Sequence, residues 1–158
     1  MKTRQHDYRL TTVWTGAGAG PTADYRSYSR AYEVRIGDKL TLQGSADPTF
    51  LGDAALVNPE EMLVAALSAC HMLSYLALAA LKGVKVTAYE DEARGTMSET
   101  GGAGHFTRVV LAPRVTISAD SDASLARSLH HEANRICFIA ASVSFPVEHE
   151  PEIVAAAA

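Results

Sequence analysis

The sequence is poor in cysteine, with two among 158 residues, Cys70 and Cys137. A pair is too few for a disulfide framework, and in a reducing compartment such residues are free, metal-bound or redox-active. Neither has a partner at CxxC spacing. His71, next to Cys70, points about 100° away around a helix, so no metal centre is expected. A GxSxG nucleophile elbow is also missing, which removes the usual Ser-His-Asp hydrolase. Charge clusters are lacking too. The 14 Lys and Arg against 18 Asp and Glu give a formal net charge of -4, scattered along the chain, with no footprint for nucleic acid. The polar, charged stretch Met1 to Tyr8 does not read as a secretory leader, and the cytoplasm is the expected location. No repeat or linker divides the chain. One domain is expected over residues 1–158, with frayed ends at about 1–6 and 152–158.

What the chain has is one decisive helix. Asn58 to Gly83 reads NPEEMLVAALSACHMLSYLALAALKG. Asn58 suits the N-cap, Pro59 the first helical position, and Glu60 and Glu61 put negative charge into the first turn. Lys82 and Gly83 close it. Between them stand mostly Ala, Leu, Met, Ser and Val, with Cys70 at the centre. A helix apolar on nearly every side is expected to be buried on nearly every side. Its Ala and Ser content, with His71 near the middle, argues against a membrane span.

Strands are expected at Asp7–Trp14, at Ala31–Ile36 and, after a Gly37-Asp38 hairpin turn, at Lys39–Gln43. Beyond the helix, Val84–Thr96 and Phe106–Ser118 read as two strands around a turn at Ser98–His105. Pro113 suggests an edge or a bulge in the second of them. A second helix runs from Asp122 to about Ile136, and a last strand fits Ala141–His149. The fold class is therefore α+β, with two main helices, mainly antiparallel sheets and the order β–β–β–α–β–β–α–β.

Spacing alone leaves both cysteines equally open to chemistry and to packing, because free Cys behaves as a small buried hydrophobe. His130 and His131 read as a solvated helix face. Taken singly, Leu63, Leu67, Met72, Leu73 and Phe138 are core residues, and Glu60 and Arg30 are surface charges.

The segment NPEEMLVAALSACH, followed by a second cysteine 67 residues later, resembles the OsmC/Ohr family of thiol-dependent hydroperoxide reductases, and the likeness extends over most of the chain. One departure stands out: Phe138 follows Cys137 where the family often has Pro. The resemblance implies a peroxidatic Cys70 and a resolving Cys137, joined as a disulfide during turnover. It also implies a thiolate-supporting pair, Glu60 and an arginine. Arg30 fits that arginine by position, with Arg35 and Arg26 as alternatives. An organic hydroperoxide substrate, bound by Leu63, Leu67, Leu73 and Phe138, and an external dithiol reductant, such as a lipoyl protein, follow from the same resemblance. No metal or organic cofactor is implied.

Physical chemistry agrees with those roles. A free thiol has a pKa near 8.5, and only the thiolate is a good nucleophile, so a reactive cysteine among apolar residues needs a fixed cation. Arginine stays charged even in a dry site. Glu60 and Cys70 lie about 15 Å apart along one helix and on faces roughly 80° apart. If both serve one site, that site combines two copies of the chain, and an intertwined homodimer with the long helix buried between the copies is expected. Two rivals remain open at this point: a redox-sensing or ligand-binding protein with inert cysteines, and an enzyme on another electrophile that uses Cys70 without Cys137.

Overall fold

The computed structural model describes residues 3–156. Its contacts divide into two compact units, Met1–Met62 and Leu63–Ala158. The first holds an antiparallel sheet of β1 (Thr11–Trp14), β2 (Tyr32–Ile36) and β3 (Leu40–Gly44), in that order. The expected hairpin is present: Ile36 pairs with Leu40, and Gly37 sits at φ 51° in the turn, where a residue without a Cβ is unstrained. The first strand is shorter than expected, since residues 7–10 lie outside the sheet.

The helix α1 (Pro59–Leu81) begins where the sequence signals place it. Its start is a capping box. The Asn58 side-chain oxygen accepts from the Glu61 N–H at 2.8 Å, and the Glu61 carboxylate accepts from the Asn58 N–H at 3.0 Å. Glu61 is thereby engaged and Glu60 is not. At the other end Gly83, at φ 79°, lets Val84 N–H reach Ala79 O (2.9 Å) and Gly83 N–H reach Ala80 O (3.3 Å). Those two bonds satisfy the last carbonyls in a Schellman motif.

The expectation of burial on nearly every side is not met in the described chain. Leu67, His71, Tyr75, Leu78 and Ala79 are buried, a stripe at three- and four-residue spacing. Ala66, Ala69, Leu73, Ala77 and Ala80 form an exposed stripe on another side. By length and composition alone α1 could cross a membrane, yet its buried stripe belongs to a folded core. Tyr75, Leu78 and Ala79 pack with Val84, Val115, Ile117, Ala126, Leu129 and Ala133, and Leu67 packs with Val109 and Leu111.

Each of the two strands expected after α1 is in fact two strands, in different sheets. β4 (Val86–Asp91) lies in the order β4-β7-β9 with β7 (Pro113–Ile117) and β9 (Glu152–Ala155). β5 (Arg94–Thr100) lies in the order β5-β6-β8 with β6 (Ala103–Leu111) and β8 (Val147–His149). The expected turn over Ser98–His105 shrinks to Gly101 and Gly102, both at positive φ. Pro113 marks neither an edge nor a bulge. It opens the central strand of its sheet, at the first residue, where a missing N–H breaks no ladder. The last expected strand is reduced to β8 by a 3-10 turn at Ala140–Ser142. Within the end expected to fray, Glu152–Ala155 form β9, parallel to β7; residues 1, 2, 157 and 158, which the same expectation covers, lie outside the described residues. β6 and β8 are parallel as well, and the other pairings between these strands are antiparallel, in keeping with the α+β class.

Asp91 holds the corner where the chain changes sheets. One carboxylate oxygen accepts from the Ala112 N–H (2.7 Å) between β6 and β7, and the other accepts from the Ser68 hydroxyl of α1 (2.5 Å). The helix α2 (Ala123–Ile136) is capped by the Asp122 carboxylate, which accepts from Ser124 and Leu125 N–H. It delivers Cys137 as the residue that ends it. Asp91→Ala removes one acceptor from two part-buried donors, and each such loss costs about 1–3 kcal/mol. A fall in unfolding free energy of roughly 2 kcal/mol or more is expected in urea denaturation, against a negligible change for the exposed Glu92→Ala.

Candidate functional site

Cys70 lies on α1 and is partly exposed; Cys137 ends α2 and is fully buried. Both thiols are free, and the fold brings them close enough for Cys70 to act on the Cys137 thiol. Burial first and then the neighbouring Cys70 push the Cys137 thiol up to about 11, against the pull of the Ala140 N–H, which donates to the Cys137 sulfur at 3.5 Å. Cys137 therefore keeps its proton at neutral pH. The pair is asymmetric: Cys70 is partly exposed, and Cys137 is buried and keeps its proton.

The other expected site residues fall elsewhere. Leu67 is a core residue at 0% exposure, and Leu63 packs on the same cluster. Leu73 and Phe138 are 63% and 78% exposed. Met72 is half-buried.

In the first unit Glu60 is no simple surface charge. Its Oε2 is buried without a partner, and so is the hydroxyl of Tyr32. The Tyr32 phenol is raised by burial and then by the Glu60 charge, so the two groups face each other. Arg30 is turned onto its own loop. Its guanidinium donates to the carbonyls of Tyr28 and Tyr25 and lies 3.9 Å from the centre of the Tyr28 ring. It also lines a cavity of about 420 Å³ with Ser45, Leu51 and Asp53. Arg35 is taken up by Glu33 at 2.8 Å, and Arg26 is exposed. Among the described residues the ion pairs include neither Glu60 nor Arg30.

Sequence reasoning missed a cluster beside the thiols. His130 is not on a solvated face; it is fully buried, whereas the neighbouring His131 is exposed. The His130 ring stacks on Tyr75 (4.0 Å, 15°), and its Nδ1 lies 3.0 Å from Nε2 of buried His71. His149 stacks on His71 at 5.8 Å. Burial, reinforced by the neighbouring imidazoles, lowers His71 to about 4 and His130 to about 3. The same cause raises Tyr75 to about 12. The signal was available in the spacing: His71 stands four residues from both Leu67 and Tyr75, and His130 four from Ala126, on the apolar stripes of their helices. Among the described residues no group of His, Cys, Asp and Glu has an arrangement suited to a metal ion.

The sequence matches the OsmC-like protein family over residues 52–152, a stretch that includes Glu60, Cys70 and Cys137 and begins after Arg30. An OsmC-like protein of unknown function from Vibrio cholerae has a similar structure. It is 34% identical, with a TM-score of 0.85 over 94% of this chain and 100% of that one. An organic hydroperoxide resistance protein from Elizabethkingia anophelis shares the fold at 17% identity, with a TM-score of 0.69 over 99% of this chain and 100% of that one. Another from Bacillus subtilis does so at 19% identity, with a TM-score of 0.63 over 94% and 98%. An uncharacterised Bacillus subtilis protein is 26% identical over 98 residues, a match that spans 60% of this chain and 65% of that protein's length. With the family match extending from before α1 to the start of β9, the chain belongs to the OsmC-like protein family.

Proposed function

We propose that this protein is a cytoplasmic two-cysteine peroxidase that reduces organic hydroperoxides to alcohols. The observation that carries the reading is the neighbouring pair of free thiols, one partly exposed and one buried with its proton. The names of the hydroperoxide resistance proteins that share the fold support it.

In the first step the Cys70 thiolate attacks the outer oxygen of the peroxide. The O–O bond breaks, Cys70 becomes a sulfenic acid, and the alkoxide leaves as alcohol with one proton. In the second step the Cys137 sulfur attacks the Cys70 sulfur, the S–O bond breaks, and hydroxide leaves as water with the Cys137 proton. An external dithiol, such as a lipoyl group, then reduces the disulfide by exchange. The chemistry uses no metal or organic cofactor. Phe138 and Leu73, both large and exposed, are apolar surface suited to an alkyl peroxide.

Glu60 and Arg30 enter from a second copy in this reading. Glu60 is spaced along α1 so that it cannot reach the Cys70 of its own helix. The stripe of Ala66, Ala69, Leu73, Ala77 and Ala80 is apolar, exposed and mostly small, and it suits close packing of a second α1. An antiparallel pair of such helices would carry each Glu60 towards the other Cys70. There its unpartnered Oε2 would fix an arginine that favours the thiolate.

Intact-mass measurement after less than one equivalent of cumene hydroperoxide should show loss of two hydrogens, and Cys137→Ser should instead gain oxygen on Cys70. Cys70→Ser should abolish turnover with its fold intact. Wild-type turnover by Cys137→Ser with a dithiol would overturn the resolving role, and a mass unchanged by peroxide would favour inert cysteines.

Arg30→Ala should slow Cys70 oxidation by roughly 10–100-fold, the value of a charge-assisted hydrogen bond of about 1.5–3 kcal/mol. If Arg30→Ala reacts like wild type and Arg35→Ala does not, the cation is Arg35.

Light scattering at assay concentration should give twice the 16.8 kDa chain mass, and Ala69→Glu on the exposed stripe should give monomers with little peroxidase activity. A fully active monomer would refute the shared site.

A further inference from the structure

Two contacts join the same two helices side by side. One is the thiol pair, Cys70 on α1 and Cys137 at the end of α2. The other is the hydrogen bond between His71 and His130, whose rings are both at 0% exposure. His71 follows Cys70 directly. His130 precedes Cys137 by seven residues, two turns of helix, which puts both on one side of α2. Tyr75, one turn beyond His71, lies flat against the His130 ring and backs it from α1.

An imidazole–imidazole bond needs one ring nitrogen that carries a proton and one that does not. A first added proton puts a charge into a buried site, and a second removes the acceptor and the bond with it. The surroundings offer a cation little. His71 faces His149 and Asp91; His130 faces His71, His149 and Arg127; His149 faces His131. Four of these neighbours are or can become cationic. Asp91 is the one anion, and both its oxygens already accept bonds from Ala112 and Ser68. The outer nitrogens, His71 Nδ1 and His130 Nε2, are buried and have no protein partner.

We propose that the His71–His130 pair is an acid-sensitive clasp between α1 and α2 that positions Cys70 and Cys137 for closure into a disulfide. The two histidines act through the helices and do not touch the reacting atoms. Their folded pKa values lie below the ordinary 6.5, so the closed clasp binds fewer protons than the open one. The clasp is secure above about 6.5 and weakens progressively as the pH falls towards about 4.

The inference rests on Cys70 and Cys137 being a disulfide-forming pair, and its test avoids peroxide. With 2,2′-dithiodipyridine, Cys70 forms a mixed disulfide and releases one coloured pyridine-2-thione. Cys137 then attacks the Cys70 sulfur, the bond to the pyridyl sulfur breaks, and the second thione leaves with the Cys137 proton. The rate of this second release reads closure and is followed in wild type, His71→Gln, His130→Gln and His130→Leu. A glutamine keeps a neutral donor and acceptor but does not take up a proton in this range. The glutamine variants should match wild type near neutral pH, and wild type should fall behind them by roughly tenfold as the pH approaches 4, a typical coupling between sites. His130→Leu should close roughly tenfold more slowly at neutral pH. Parallel pH profiles for wild type and both glutamine variants would overturn the clasp, and they decide the matter even if His130→Leu does not fold. So would closure by a folded His130→Leu as fast as wild type. A second thione that never appears, from wild type at any pH, would remove the disulfide pair and the clasp with it, whereas loss of the clasp alone leaves the peroxidase reading standing.

Discussion

The helix α1 is apolar around its whole circumference, but a single chain covers only part of it. The buried stripe of Leu67, His71, Tyr75 and Leu78 places α1 on the core, and the alanines of another stripe stay in contact with solvent. Because the helix is held along one side, its rotation is fixed, and with it the direction in which Cys70 points. The caps add to this. Glu61 closes the box with Asn58 and the Schellman turn at Gly83 fixes the far end, so neither end can unwind at little cost. A thiol at the centre of such a helix has little freedom to search for a partner. Cys137 has to be brought to it.

That delivery is the work of α2 and of the corner at Asp91. A carboxylate that binds Ser68 of α1 and the Ala112 N–H ties the helix to the point where β6 becomes β7, and β7 carries Val115 and Ile117, against which α2 packs. The position of Cys137 thus depends on a chain of contacts that begins on α1 and returns to it. The two cysteines are 67 residues apart in sequence, and no local interaction could bring them near each other.

The parts readable from the sequence are those set by near neighbours. The Asn-Pro-Glu-Glu start of α1, the Gly37 hairpin and the Asp122 cap each depend on a few adjacent residues, and each stands where the sequence places it. The strands after α1 were misjudged because Glu92 and Ala93 carry no turn signal. The break between β4 and β5 comes from the pairing of the two strands with different sheets. β9 escaped for a related reason: Glu-Ile-Val-Ala is weak as a strand by itself and is organised by parallel pairing to β7, roughly 38 residues away by its Arg114–Glu152 register. His130 departs from the solvated face expected of it because its place on the apolar stripe of α2 outweighs its polar character. The thiol pair was readable only as a family pattern, since spacing cannot show that two distant cysteines meet.

Desolvation gives the region around the thiols one consistent character. Burial disfavours charge of either sign, so it holds the proton on Cys137 and on Tyr75 and keeps it off His71 and His130. The one nearby carboxylate, Asp91, already accepts two hydrogen bonds. At neutral pH, Cys137, Tyr75, His71 and His130 are therefore all uncharged. In the first unit Arg30 is held on its loop by two carbonyls and Glu60 keeps an oxygen without a partner, and it is from that pair that the proposed dimeric site would draw its charge.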